Sequence, residues 1–281
     1  MSPAPTDDVT FPATVPLVPV KDLVVSPFMI VPLNVARAKS ARAIETSLQD
    51  SGDRMIFLVA QREAADPDPE PEALHRVGCL GTVLRMARAD GRVRVLVQGL
   101  VRARVVRFVE TEPCFVVEPE PLPDVPVPAE ARLRGEALMR ATKDNIDRFV
   151  KAGGRFPEEV ALVIQPVEDP GRLADLVIAN LRVGPADAQD LLERVDPLAR
   201  LAAINAVVEK ELGILDMRQQ IEEEARQQMS RTQREYFLRQ QLRAIRTELG
   251  DEGHDAELDA LRQRVEQVGM PPAALHEARR Q

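Results

Sequence analysis

The chain has 281 residues, 44% hydrophobic and 29% charged, a composition that supports about two folded domains and excludes a wholly disordered protein. A net charge of -8, the lack of Trp and a single Tyr236 argue against a dedicated nucleic-acid-binding domain, which needs basic surface and stacking platforms. No uncharged run approaches the ~18 residues of a membrane span. Met1-Ser-Pro-Ala-Pro-Thr-Asp-Asp lacks the positive start and apolar run of a secretory signal, so a cytoplasmic protein with no membrane partner is expected.

Residues 1–13 read as a flexible start and residues 14–118 as a β-rich lobe. Short β-branched runs predict strands at Thr14–Val20, Val24–Val35, Met55–Ala60, Val77–Ala87, Val93–Val97, Val101–Val109 and Cys114–Glu118. Asp90-Gly91 is a hairpin signal between two of them. One helix is predicted over Ala36–Gln49, stopped by Ser51-Gly52. Asp66 to Glu72 alternates proline with acidic residues and is expected to be a solvated loop. Cys79 and Cys114 stand alone, outside any CxxC pair, and read as small apolar strand residues.

Pro119, Pro121, Pro123, Pro126 and Pro128 mark residues 119–128 as an extended linker and a domain boundary. A helical lobe follows over 129–250, with helices at Ala129–Ala152, Pro157–Ile164, Pro170–Leu181 and Pro185–Val195. From about Pro197 one helical pattern continues to Gly250, which at 1.5 Å per residue would span about 80 Å. Leu198, Leu201, Ile204 and Val208 are placed against the helical lobe. Further along, Leu238, Leu242, Ile245 and Leu249 form an apolar seam beyond its reach. Residues 251–281 read as a linker and the start of another helical segment, with an amphipathic helix at Ala256–Val268. The fold class is therefore α+β: a β-rich lobe, then an all-helical lobe ending in one very long helix.

Candidate sites are few. His75, His254 and His276 are too dispersed for a metal cluster, and no nucleophile motif occurs, so no catalytic, cofactor-binding or metal-binding residue is assigned. Glu222, Glu223 and Glu224 occupy successive helical positions that face different ways, as in a solvated helix with pairs such as Glu222–Arg226 and Glu235–Arg239. Arg85, Arg88, Arg92, Arg94, Arg102, Arg104 and Arg107 suggest nucleic-acid contact. Alternation with Val93, Val95 and Val97 instead places them on the wet face of a sheet, the reading that the acidic net charge favours. Phe28, Met29 and Ile30 after Pro27 read first as ordinary strand residues filling the sheet core and second as candidates for contact with exposed apolar segments of other proteins. Met217 and Met229 on the long helix pose the same choice between filling helix contacts and meeting a partner. Tyr236, Phe237, Leu238, Leu242, Ile245 and Leu249 are candidates for an assembly helix.

Five blocks in order resemble the front end of the Lon family of ATP-dependent proteases. They are Leu17-Val-Pro-Val-Lys-Asp22 with Pro27, Pro32-Leu33, Val35, Arg37 and Ser40; Val59-Ala-Gln-Arg62; Val77 to Thr82 with Val95 to Arg104; Asp175 to Leu181; and Gln233 to Gly250. The resemblance implies a PUA-like β lobe, recruitment of unfolded or degron-bearing protein substrates, and a homo-hexamer. It also implies ATP and magnesium in an ATPase domain, and a Ser-Lys protease site, in regions beyond this one. A P-loop needs Gly followed by Lys, and the five lysines, Lys21, Lys39, Lys143, Lys151 and Lys210, never follow glycine. The chain thus reads as a non-catalytic region that ends before the ATPase, with weak nucleic-acid binding at most. The rival reading is a free-standing PUA-like protein that binds RNA or a small ligand through the arginine-rich strands.

Overall fold

The computed structural model describes residues 11–49, 54–63, 65–89 and 92–248, and a few positions between 260 and 267. The chain divides into two compact units, Met1–Asp216 and Met217–Gln281.

The first unit begins with six strands, β1 (Val15–Val20), β2 (Ile30–Val35), β3 (Met55–Ala60), β4 (Val77–Ala89), β5 (Arg92–Glu110) and β6 (Phe115–Pro121), with helix α1 (Ala38–Gln49) between β2 and β3. They pair in the order β2-β5-β4-β3-β1-β6, and β6 returns to pair with β5, so five strands close a ring and β2 remains an edge. Closure removes free edges, and Pro32 in the one remaining edge strand lacks a donor for strand addition. Residues 90 and 91 of the predicted hairpin lie outside the described residues.

All six residues of β1 are buried because both faces are covered. Val15 and Leu17 join a cluster with Phe57, Leu74 and Leu80, while Val18 and Val20 join the opposite cluster with Ile44 of α1, Ile56 and Leu58. The period of two thus feeds two apolar layers from one strand.

Two predicted strands, Val93–Val97 and Val101–Val109, are one continuous strand. The Gln98-Gly99-Leu100 interruption is a bulge: β4 pairs Leu80 with Val101 and then Gly81 with Gly99, leaving Leu100 extra. Val95 and Val97 belong to one apolar layer and Val101, Ala103 and Val105 to the other, so β5 changes layers at this bulge. Similar register shifts isolate Leu84, Val106 and Val109, and all three are exposed. β6 runs past Pro119 and ends at Pro121, pairing Pro119 with Val105 and Pro121 with Ala103. The predicted strand Val24–Val35 is shortened to β2, because residues 21–29 form a loop with positive φ at Asp22 and Phe28.

Helices α2 (Arg132–Lys151), α3 (Glu158–Ile164), α4 (Pro170–Ile178) and α5 (Pro185–Glu193) precede α6 (Pro197–Glu248). Pro170 and Pro185 open their helices where a missing N–H costs nothing, and the Asp169 carboxylate caps α4 by accepting from Arg172 N at 2.6 Å. Ile146, Phe149, Ile164, Leu173, Val177, Leu201, Ile204 and Val208 form the helical core. The β-rich part, α2–α5 and α6 as far as Asp216 belong to the same compact unit, which continues through residues 119–128. Of the helix predicted at Ala256–Val268, most residues lie outside those described.

Candidate functional site

Residues Ser26 to Met29 form a tight turn, with Met29 N donating to Ser26 O at 3.3 Å. Pro27 presets the second position, but the third, usually glycine when φ is positive, is Phe28 at φ 67°. Such a conformation costs about 1–3 kcal/mol for a bulky residue and persists only when neighbours impose it. Here the neighbour is Gly99. Phe28 N donates to Gly99 O, and Gly99 N donates to Met29 O, both at 2.9 Å. A Cβ on Gly99 would lie 2.2 Å from Ser26 O, so only glycine permits this approach. The turn leaves Phe28 and Met29 half-buried and Ile30 55% exposed.

Two clefts flank this turn. One, of about 300 Å³, is lined by Leu23, Ser26 and Met29 together with residues 178–183, Pro185 and Ala188. The other, of about 460 Å³, has apolar walls from Phe11, Pro27, Phe28, Leu100, Leu122 and Pro123. Its polar lining includes Arg102, Asp124, Asp169, Arg172 and Asp175, and the Arg172 guanidinium sits 6.0 Å from the Phe28 ring.

Beneath the larger cleft lies a buried charge cluster. Arg200, on α6, is 1% exposed and grips both oxygens of Asp124 at 2.8 Å, while its Nη1 also donates to Arg194 O at 2.8 Å. Arg102, on β5, also pairs with Asp124 and donates to Arg194 O at 2.9 Å. Gly171 admits the carboxylate, since a Cβ there would lie 1.9 Å from Asp124 Oδ2. Asp175 is held less well: Arg200 Nε is 3.2 Å away without hydrogen-bond alignment, and Arg102 Nε is 3.9 Å away. Burial pushes its carboxyl up to about 6, against the pull of Arg200 and Arg102.

The arginine-rich strands divide accordingly. Arg85 and Arg94 are exposed, and Arg88 pairs with Glu45, Arg104 with Glu120 and Arg107 with Glu118. Arg102 departs from the wet-face expectation. Its side of β5 faces the segments carrying Asp124, Asp175, Arg194 and Arg200, which bury it to 4% exposure. The side chain of Arg92 lies outside those described. Asp124 and Arg200 were not singled out from sequence, because an arginine inside an apolar helical stripe gives no local sign of its partner.

In the second unit, Met217, Ile221, Leu238, Leu242 and Ile245 are all more than half exposed. Their spacing keeps one heptad frame, with Ile221 and Leu242 at a and Met217, Leu238 and Ile245 at d. Polar Glu224, Gln228, Arg231 and Glu235 occupy the intervening seam positions. Tyr236 and Phe237 are exposed but stand at b and c, off the seam, and Tyr236 Oη accepts from Gln240 Nε2 at 3.2 Å. Glu222 pairs with Arg218 at 2.9 Å, and Glu235 lies 4.0 Å from Arg239. Leu249 and the side chain of Met229 lie outside the described residues. Among those described, no helix is long and apolar enough to cross a membrane.

Residues 14–210 match the family model described as the ATP-dependent protease La (LON) substrate-binding domain. The chain is 43% identical over 277 residues to the Lon protease of Geobacter metallireducens, which covers 98% of this chain and 33% of that protein. It is 40% identical over 276 residues to the Lon protease of Trichlorobacter lovleyi, with 98% and 33% covered. The chain therefore spans about a third of the length of these curated relatives. The solved N-terminal domain of the Mycobacterium avium complex Lon protease superposes with a TM-score of 0.54 at 22% identity, covering 70% of this chain and 98% of that one, a likeness of fold. With the family model matched over most of its length and the α+β order of elements in place, the chain belongs to the Lon protease family, as its N-terminal substrate-binding region.

Proposed function

We propose that this region recruits unfolded or degron-bearing proteins for a cytoplasmic Lon-type enzyme that degrades misfolded and regulatory proteins with ATP. The strained Ser26–Met29 turn supports this reading: it holds Phe28 and Met29 half-buried and Ile30 in solvent, between two clefts. Met217 and Met229 extend the set of adaptable contacts. Recognition at the turn is by apolar burial. The purified chain is expected to bind casein without cleaving it and without hydrolysing ATP. Ile30→Asp should weaken that binding about fivefold, through loss of roughly 1 kcal/mol of apolar burial. Unchanged casein affinity in Ile30→Asp, measured by fluorescence anisotropy, would exclude the turn as the contact.

ATP and magnesium are assigned to other parts of the whole protein, because this sequence has no Gly-Lys pair with which to hold a nucleotide. Nucleic acid is bound weakly at most, and only at low salt. The heptad seam of α6 supports a second role, in ordering a homo-hexamer of the whole enzyme. Five half-exposed apolar side chains in one frame favour a helical partner at about 25 cal/mol per Å² buried. Leu242→Asp with Ile245→Asp is therefore expected to impair hexamer formation by the full-length enzyme while leaving β1–β6 folded. A hexamer of wild-type stability in sedimentation would make the seam incidental.

A further inference from the structure

The larger cleft beside Phe28 combines apolar walls with a carboxylate that has no proper donor. Asp175 lines it with 14% of its side chain exposed; Arg200 Nε, 3.2 Å away, is not aligned to hydrogen-bond to it, and Arg102 Nε is 3.9 Å away. A desolvated carboxylate in that state gains from any ligand that brings an N–H or O–H. Charge narrows the choice. A cationic head would meet Arg102 and Arg200, which already flank Asp175, and an anionic one would meet Asp124, Asp169 and Asp175. A purely apolar group would cover the carboxylate without satisfying it. What remains is a neutral donor on an apolar body, and about 460 Å³ of space beside Phe11, Phe28 and Pro123 suits a flat ring, with the Arg172 guanidinium available over an aromatic face.

We propose that this cleft receives one tyrosine or tryptophan side chain of an extended polypeptide, with its ring against Phe28 and the proline wall and its O–H or N–H donated to Asp175. The inference rests on the reading of this region as substrate-recruiting and names the side chain recognised beside the turn. A site built to accept a donor rejects the isostere that lacks one. Phenylalanine is therefore the discriminating competitor.

The chain contains no Trp, so the emission of N-acetyl-tryptophanamide reports its own binding directly. Competition by N-acetyl-tyrosinamide and N-acetyl-phenylalaninamide then ranks the three. The tryptophan and tyrosine probes are expected to bind about tenfold tighter than the phenylalanine probe, the usual effect of one hydrogen bond to a charged acceptor. Phe28→Gly, which suits the positive φ, should keep the fold and weaken the tryptophan probe about tenfold through loss of the ring wall. A phenylalanine probe that binds as tightly as the other two overturns the proposal, as does an unchanged tryptophan affinity in Phe28→Gly. Should that variant fail to fold, the wild-type ranking decides alone. Casein binding that persists when the ranking fails would leave the recruiting role standing and remove only this cleft, whereas a wild-type chain that binds no casein removes the role itself.

Discussion

Arg200→Met is expected to destabilise the first unit by about 3–5 kcal/mol, because removing one partner of a buried ion pair leaves the other charges uncompensated. Arg200 is 1% exposed and is the residue that reaches Asp124, Asp175, Gly171 O and Arg194 O at once. Asp124 and Asp175 are 29% and 14% exposed, so solvent screens the loss only partly. The control is Arg104→Met. Arg104 also meets a carboxylate, Glu120, at 2.7 Å, but both side chains are about half in water, and such exposed pairs contribute roughly 0–1 kcal/mol. Urea denaturation of both variants separates the two cases, and a cost below about 1 kcal/mol for Arg200→Met would mean that the cluster is not a structural tie.

The deficit should shrink in acid. Burial raises the folded-state pKa of Asp175 to about 6, above the ordinary aspartate value of 3.8, so the native state binds the proton more readily than the unfolded chain between those values. Stability from this group therefore rises as pH falls from about 6 toward 3.8 and is lost as pH rises back through that window. Arg200 opposes this shift, so its removal should enlarge the gain in acid.

Gly99→Ala is the second large effect, at about 3 kcal/mol, the upper end for overpacking in a closed site. The added Cβ meets backbone, Ser26 O at 2.2 Å, with Cys79 Sγ at 3.0 Å behind it, and no flexible side chain can give way. The strand or the turn must move. Because Gly99 bonds to both Phe28 and Met29, displacement should also release Phe28 from its positive φ and weaken casein binding. Loss of stability with full casein affinity would separate the turn from recruitment. Gly184→Ala is the matching control, since nothing lies within 4 Å of its Cβ and its φ of -62° suits alanine.

Strand and helix identities followed from local pattern wherever one face was consistently apolar. Alternation in β4 and β5, the proline openings of α4 and α5, and the stripe of Leu201, Ile204 and Val208 are all local properties of the chain. Local pattern misread Gly99. A glycine between two β-branched runs looks like a turn, and only pairing with β4 shows it to be a bulge within one strand. It also misread Arg102, whose alternation with Val101 and Ala103 predicts water on its side of the strand. Burial on that side comes from segments 22 and 92 residues later, and no local window on the sequence contains both partners.

The five ordered blocks, the missing Gly-Lys pair and the heptad frame of α6 are properties of the sequence by itself, and they determined the family, the absence of a phosphate-binding loop and the apolar seam. Tertiary structure alone decided why Phe28 takes a positive φ, which is the backbone contact with Gly99, and why Asp124, Asp175, Arg102 and Arg200 share one buried cluster. The physical reason is the range of the forces. Propensity and amphipathic period act over a few residues, whereas the desolvation that gives a buried charge its weight depends on which distant segments exclude water around it.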